Sequence, residues 1–410
     1  MSKIKSIKAR EILDSRGDPT IEASLETENG IFIDSVPSGA SIGLREAVEL
    51  RDNDENRYFG KGVLNAISNI ENIISPSVEG FQVKNQKEID NAMIELDNTD
   101  SKAYLGANAI MAVSLASARA GAKASEKELY EYIALISNNE VKIPSPCFNV
   151  INGGKHAGSE LAFQEFMINF EGKELKEQIR MASEVYHKLK YIISFKYGKE
   201  GINVGDEGGF APKINNPREA LDLIVKAAEE LNYLNDLNIF IDVAASEFYN
   251  EGKYVLNKDN ALTREELIEY YKELIKNYPI KSIEDPFDEN DFEGFRMLNQ
   301  AMLGNILIIG DDLTTTNIDS IEKAYDKNAI NGLLVKINQI GTVSEAIEAV
   351  NLAKSYNYKI MVSHRSGETM DDFIADFAVG TGADYIKSGA PARGERVSKY
   401  NRLLKIAENL

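Results

Sequence analysis

Residues 281–312 read KSIEDPFDENDFEGFRMLNQAMLGNILIIGDD. An apolar run closing on Glu284, a helical segment, and a second apolar run closing on Asp311 make one strand–helix–strand unit. The rhythm continues on both sides. Candidate strands INVGDE (202–207), NIFIDVA (238–244), GLLVKIN (332–338), KIMVSH (359–364) and DYIKSG (384–389) alternate with helical segments. So many βα units in one domain favour a barrel, with an open sheet as the alternative. Helix starts are written between them. Thr263 is followed three residues later by Glu266, and Thr342 by Glu345, each an N-cap with a carboxylate able to reach back to free backbone donors. Asn216 precedes Pro217, a proline suited to the first helical position. Before the rhythm begins, CFNVIN (147–152) and FQEFMINF (163–170) flank the glycine-bearing NGGKHAGSELA, which predicts an opening hairpin and an irregular barrel.

The N-terminal third has another character. Strand patterns SIKAREIL (6–13) and TIEASLETENGIFIDSV (20–36) mix with helical runs at 62–74 and 106–125, as in a compact α+β domain. The polar SNNEVKIPSP (137–146) carries prolines that cannot continue a helix. The expected division is therefore an N-terminal domain over 1–128 and a C-terminal domain over 138–410. A chain of 410 residues with 43% hydrophobic content suits two globular domains.

A net charge of −19 repels phosphate backbones and anionic membranes, so no nucleic-acid partner is expected and any bound phosphate needs a local cation cluster. The single cysteine, Cys147, reads as a small buried apolar residue. Charges interrupt the N-terminus before an apolar targeting core can form, and no stretch reaches the length of a membrane span. A cytoplasmic location is the expectation.

The decisive pattern is where charges fall. Asp242, Glu284, Asp311, Lys336, His364 and Lys387 close six consecutive candidate strands, so in a barrel they converge on the carboxyl-end face, where active sites sit. One such residue is ordinarily a solvated strand end; six in series are not. Three clustered carboxylates raise one another's pKa unless a cation joins them. Oxygen-only ligands suit magnesium or manganese rather than zinc. Lys336, His364 and Lys387, with Arg365 and Ser366 directly after the histidine, suit an anionic, phosphorylated substrate. The bland alternative, a structural salt-bridge network, ranks second because buried ion pairs cost desolvation. Glu165 in FQEF and Glu207 in GDEGG are further candidate acids. Of the three histidines, His156 lies in the GGKHAG loop, and His187, inside EVYHKLK, is expected to pack structurally.

From end to end the chain resembles the enolases, the 2-phosphoglycerate dehydratases. The stretches that carry the resemblance are AREILDSRGDPT, VPSGAS, GANAI, NVINGGKHAG, QEFMI, NVGDEGGFAP, SIEDPF, GDDLT, VKINQIGT, SHRSGET and IKSGAPAR. The resemblance implies an α/β fold: an irregular eight-stranded β/α barrel that opens with an antiparallel strand pair, under an N-terminal α+β capping domain. It implies a lyase that interconverts 2-phosphoglycerate and phosphoenolpyruvate in glycolysis and gluconeogenesis, as a homo-oligomer, dimer or octamer. It implies two Mg2+ ions per site, the first on Asp242, Glu284 and Asp311, the second recruited with substrate by Ser41. Lys336 would be the base at carbon 2, and Glu207, assisted by Glu165, the acid at carbon 3. His156, Arg365 and Ser366 would contact the phosphate or its neighbours, His364 the leaving-group region, and Lys387 the carboxylate.

Departures from the family pattern are few. Ile42 follows Ser41 where threonine is usual, GSELA replaces GGALA after His156, and Phe292 and Phe295 stand where tryptophans are frequent. Ile42 and Glu160 fall in the two loops expected to move, so they bear on turnover rate rather than on the reaction. A racemase or sugar-acid dehydratase with the same triad would carry a lysine pair on an early strand, and a purely structural or surface-receptor role would not need these positions filled.

Overall fold

The computed structural model describes residues 2–40, 43–157, 160–257 and 260–410. At the N-terminus, β1 (Ser6–Leu13), β2 (Pro19–Thr27) and β3 (Gly30–Ser35) form an antiparallel meander. Ile21, Ala23 and Leu25 alternate along β2 and are fully buried, as the two-residue strand period requires. They pack toward the long helix Ala107–Ala124, whose run of small residues allows close approach and near-complete burial. The helical run at 62–74 becomes Leu64–Asn69 followed by a π-type turn over Ile70–Ile74, just before Pro76, which has no N–H for the helical ladder.

Eight strands close the barrel. They are β4 (Ser145–Asn152), β5 (Glu165–Asn169), β6 (Asn238–Asp242), β10 (Ile280–Glu284), β11 (Leu307–Gly310), β12 (Gly332–Val335), β13 (Lys359–Ser363) and β14 (Tyr385–Lys387). Between β6 and β10 lies a small sheet of β7 (Tyr249–Asn250), β8 (Lys253–Asn257) and β9 (Asn260–Leu262), which the sequence reading did not foresee. Strand β5 runs antiparallel to both β4 and β6, and the other barrel pairs are parallel. The expected opening hairpin is therefore present. Because β5 is inverted, its first residue, Glu165, stands beside Asn152 and Asp242, the last residues of its two neighbours. Cys147, Met167, Phe240, Ile309, Leu334, Met361 and Tyr385 plug the barrel interior, which leaves the carboxyl-end face for chemistry.

Several expectations need correcting. INVGDE is no barrel strand. Since β5 pairs directly with β6, no ladder position is left for it; Lys199–Ile202 is a 3-10 turn and Val204 makes only an isolated bridge to Phe210. The helices Leu175–Tyr197 and Pro217–Glu229 thus follow β5 in succession. Of the six charges, Asp242, Glu284 and Lys387 end their strands, while Asp311, Lys336 and His364 come one residue after. His187 is exposed on its helix rather than packed. Thr263 and Glu266 form the expected capping box. Thr342 caps its helix too, but the Glu345 carboxylate accepts from the Thr342 hydroxyl and from Lys102 instead. Among the described residues, no helix is long and apolar enough to cross a membrane.

Candidate active site

Lys387 occupies the middle of the carboxyl-end face. Its ammonium lies 2.8 and 2.9 Å from the two oxygens of Glu284, 3.2 Å from Asp242 and 3.4 Å from Glu165. All four residues are buried. Gln164, which precedes Glu165, donates to Asp242 at 3.3 Å. Burial, then the charge of Asp242, pushes the Glu284 carboxyl well above its ordinary range; burial, then Glu207, does the same to Glu165. One ammonium shared by three carboxylates leaves negative charge that a hard divalent cation would balance.

A second cluster surrounds Asp311. Its Oδ2 accepts from Lys336 Nζ at 2.5 Å and its Oδ1 from Gln339 at 2.8 Å. The Gln339 amide oxygen accepts from Thr316, whose hydroxyl in turn accepts the backbone N–H of Lys336 at 3.0 Å. Behind them, the buried Asp285 takes the backbone N–H groups of Asp311 and Asp312 at 2.9 and 2.7 Å, which orients both carboxylates. Burial opposes ionisation of Asp311, but Lys336 and Lys387 outweigh it and its pKa falls. Burial likewise opposes the Lys336 charge, and Asp311 outweighs it, so its pKa rises.

The third cluster gathers Glu207, His364, Arg365 and Ser366. Asn149 donates to Glu207 at 2.9 Å, and His364 Nε2 lies 3.6 Å from the other Glu207 oxygen. Glu207 reaches the site from a loop that turns through Gly208 at φ +86°. Arg365 pairs with Glu46 at 2.9 Å, and Ser366 Oγ accepts the N–H of Ala40 at 2.8 Å, so this part of the N-terminal domain sits on Arg365 and Ser366. A side chain on Gly39 would strike the Arg365 guanidinium, with a Cβ only 1.8 Å from Nη2.

Eight of the residues named from sequence thus stand on one face around a single small cavity or against its lining: Glu165, Glu207, Asp242, Glu284, Asp311, Lys336, His364 and Lys387. Arg365 and Ser366 line the same cavity. Ser41 and Ile42 lie outside the described residues, as does the side chain of His156. Among the described residues, two groups bring three acidic or histidine ligand atoms within 4.8 Å of one another: Glu165, Glu207 and His364, and Asp285, Asp311 and Asp312. Asp242, Glu284 and Asp311 are not such a group: Asp242 and Glu284 both face Lys387, whereas Asp311 faces Lys336. The all-carboxylate group, Asp285, Asp311 and Asp312, is the oxygen-only donor set that could hold a hard metal ion.

The strand-end criterion missed Asn149, Gln164, Gln339, Asp285 and Arg396. Gln164 and Asp285 lie inside quoted stretches directly beside Glu165 and Glu284, a signal that adjacency could have supplied. Arg396 sits on a helix, where that criterion has nothing to say.

Comparison with known families agrees over both parts of the chain. Residues 4–133 match the model described as "Enolase, N-terminal domain", and residues 140–410 match "Enolase, C-terminal TIM barrel domain". The chain belongs to the enolase family. It is 53% identical over 420 residues to Enolase B of Dictyostelium discoideum, covering 99% of this chain and 95% of that protein. Against the enolase of Methanocaldococcus jannaschii identity is 52% over 410 residues, covering 100% and 96%. Against that of Mastigamoeba balamuthi it is 51% over 423 residues, covering 100% and 96%. Enolase activity, that of a phosphopyruvate hydratase and therefore a lyase, goes with family membership at this identity and coverage.

Proposed function

We propose that this enolase-family lyase interconverts 2-phosphoglycerate and phosphoenolpyruvate as a step of glycolysis and gluconeogenesis, with Lys336 as base and Glu207, assisted by Glu165, as acid. The observation that carries the reading is that one small cavity is lined by Lys336 together with Glu165, Glu207 and His364, so a base and an acid face the same volume. A proton beside a carboxylate is very weakly acidic, so the enolate formed by its loss needs concentrated positive charge at its oxygens. Lys387 and Arg365 line that cavity and contribute two fixed cations. A magnesium pair, the first held by Asp242, Glu284 and Asp311 and the second recruited with substrate by Ser41, would supply the rest of that charge and grip the substrate carboxylate.

In the forward direction Lys336 Nζ takes the proton from carbon 2. The carbon 3 hydroxyl then leaves as water with a proton from the glutamate pair. The raised pKa of Glu165 suits it to keep a proton near Glu207 at neutral pH. Lys336 acts as a base only when neutral; burial and the charges of Arg365 and Lys387 favour that form, and Asp311 outweighs them. Arg365, Ser366 and His156 would receive the phosphate, with His364 near the leaving group. The capping domain, 1–128, and the catalytic barrel, 138–410, would work together in a cytoplasmic homo-oligomer, dimer or octamer.

The test is ultraviolet detection of enol phosphate formed from 2-phosphoglycerate, with magnesium and then with excess chelator. Product that depends on magnesium supports the reading. No product from folded protein with magnesium present overturns it.

A further inference from the structure

Arg396, on the C-terminal helix Gly394–Ala407, is completely buried, yet no step above uses it. Its guanidinium is spent on the site's loops. Nη1 lies 2.6 Å from His364 Nδ1 and 2.7 Å from the Arg365 carbonyl. Nη2 donates to the carbonyls of Asp206 at 2.9 Å and Ser366 at 2.6 Å, and to Ser15 Oγ at 3.4 Å. The carboxylate of Glu395 stands near Nε at 3.3 Å.

Guanidinium has donors and no acceptor, and stays charged at any pH a protein survives. The short contact therefore requires His364 Nδ1 to be the acceptor. The ring's one proton is then on Nε2, which faces Glu207 Oε1 at 3.6 Å. An imidazolium would place a second N–H against the Arg396 donor and a second cation beside it. Burial pushes the His364 pKa well below its ordinary value, and Arg396, Lys387 and Lys336 push the same way against Glu207.

We propose that Arg396 is a positioning residue that fixes His364 as the Nε2–H tautomer and, through the same fork of hydrogen bonds, holds the Glu207 loop in register with residues 364–366. The inference rests on the functional reading above for its kinetic part alone. His364 then serves as an oriented neutral donor toward the acid and the leaving hydroxyl, not as a carrier of the catalytic proton.

The experiment is long-range 1H–15N correlation on 15N-labelled enzyme, whose three histidines make assignment straightforward with a His364→Gln control. Wild type should show His364 neutral and protonated on Nε2 alone. Arg396→Met should mix the tautomers and lower kcat about 10- to 100-fold while KM for 2-phosphoglycerate stays within about threefold, and Arg396→Lys should recover part of the loss. A wild-type His364 protonated on Nδ1 or doubly protonated, or a folded Arg396→Met with an unchanged tautomer, overturns the assignment. Should Arg396→Met not fold, the wild-type spectrum decides. If wild type makes no enol phosphate, the functional reading falls, while the spectra still test Arg396 by themselves.

Discussion

Lys387 and Glu284 stand on opposite sides of the barrel, β14 and β10 being four strands apart round the closed sheet, yet the lysine nitrogen is 2.8 Å from Glu284 Oε1. The carboxyl-end face is thus spanned by one buried ion pair. Removing either charge leaves the other without its main partner in a dry setting.

Glu284→Gln tests that span together with the metal assignment. The variant should weaken magnesium binding at least about tenfold by calorimetric titration, since a charged oxygen ligand is replaced by a neutral one. An unchanged titration would remove Glu284 from the metal site.

Lys336→Ala should abolish exchange of the carbon 2 proton with solvent deuterium, lowering turnover by roughly 10²- to 10⁴-fold, the usual contribution of a positioned general base. Magnesium binding should persist. Exchange at the wild-type rate would mean that another group takes the proton.

Gln339→Ala breaks the chain from Thr316 through Gln339 to Asp311 without touching the charged pair. Asp311 Oδ1 loses its donor and the Lys336–Asp311 geometry loosens, so kcat should fall by about tenfold in a protein that still folds, with a lowered melting temperature because Gln339 is fully buried. Thr316→Val should act in the same direction, because it also strips the acceptor from the Lys336 N–H. Full activity in both would show that the network is packing alone.

Asp384 provides a pH test away from the chemistry. Burial opposes its charge, but Lys142, the Ile360 N–H and Lys359 outweigh this and hold its pKa below the ordinary 3.8. A depressed carboxylate stabilises the fold above its unfolded pKa and loses that contribution as pH falls through the folded value. Asp384→Asn should therefore lower the melting temperature at pH 7, and the gap to wild type should close as pH falls below about 3.8. A gap independent of pH would assign the loss to packing.

Much of this architecture is legible without coordinates, for an identifiable reason. An apolar run that ends abruptly on a charge marks both a strand and its polar end, and Asp242, Glu284 and Lys387 follow that rule to the residue. The same rule fails at INVGDE, where Val204 is 42% exposed and the chain bends through Gly205 and Gly208 instead of pairing. Short apolar alternation cannot by itself tell a strand from a loop; here Ile202 is half-buried, Val204 is exposed, and the buried residues are Gly205 and Glu207. Arg396 and Gln339 escaped notice because their work lies in hydrogen bonds made by a helix and a short turn, and only folding brings those elements to the strand ends.

The inverted strand has a mechanical corollary. An ordinary βα connection touches the reaction floor once and departs for the outer ring. The segment between β4 and β5 starts from that floor at Asn152 and comes back to it at Glu165, and Gly153 and Gln164 are tied to each other by a 2.9 Å backbone bond. Both feet of that connection therefore rest on the carboxyl-end face, and Glu165 follows its second foot directly in the chain.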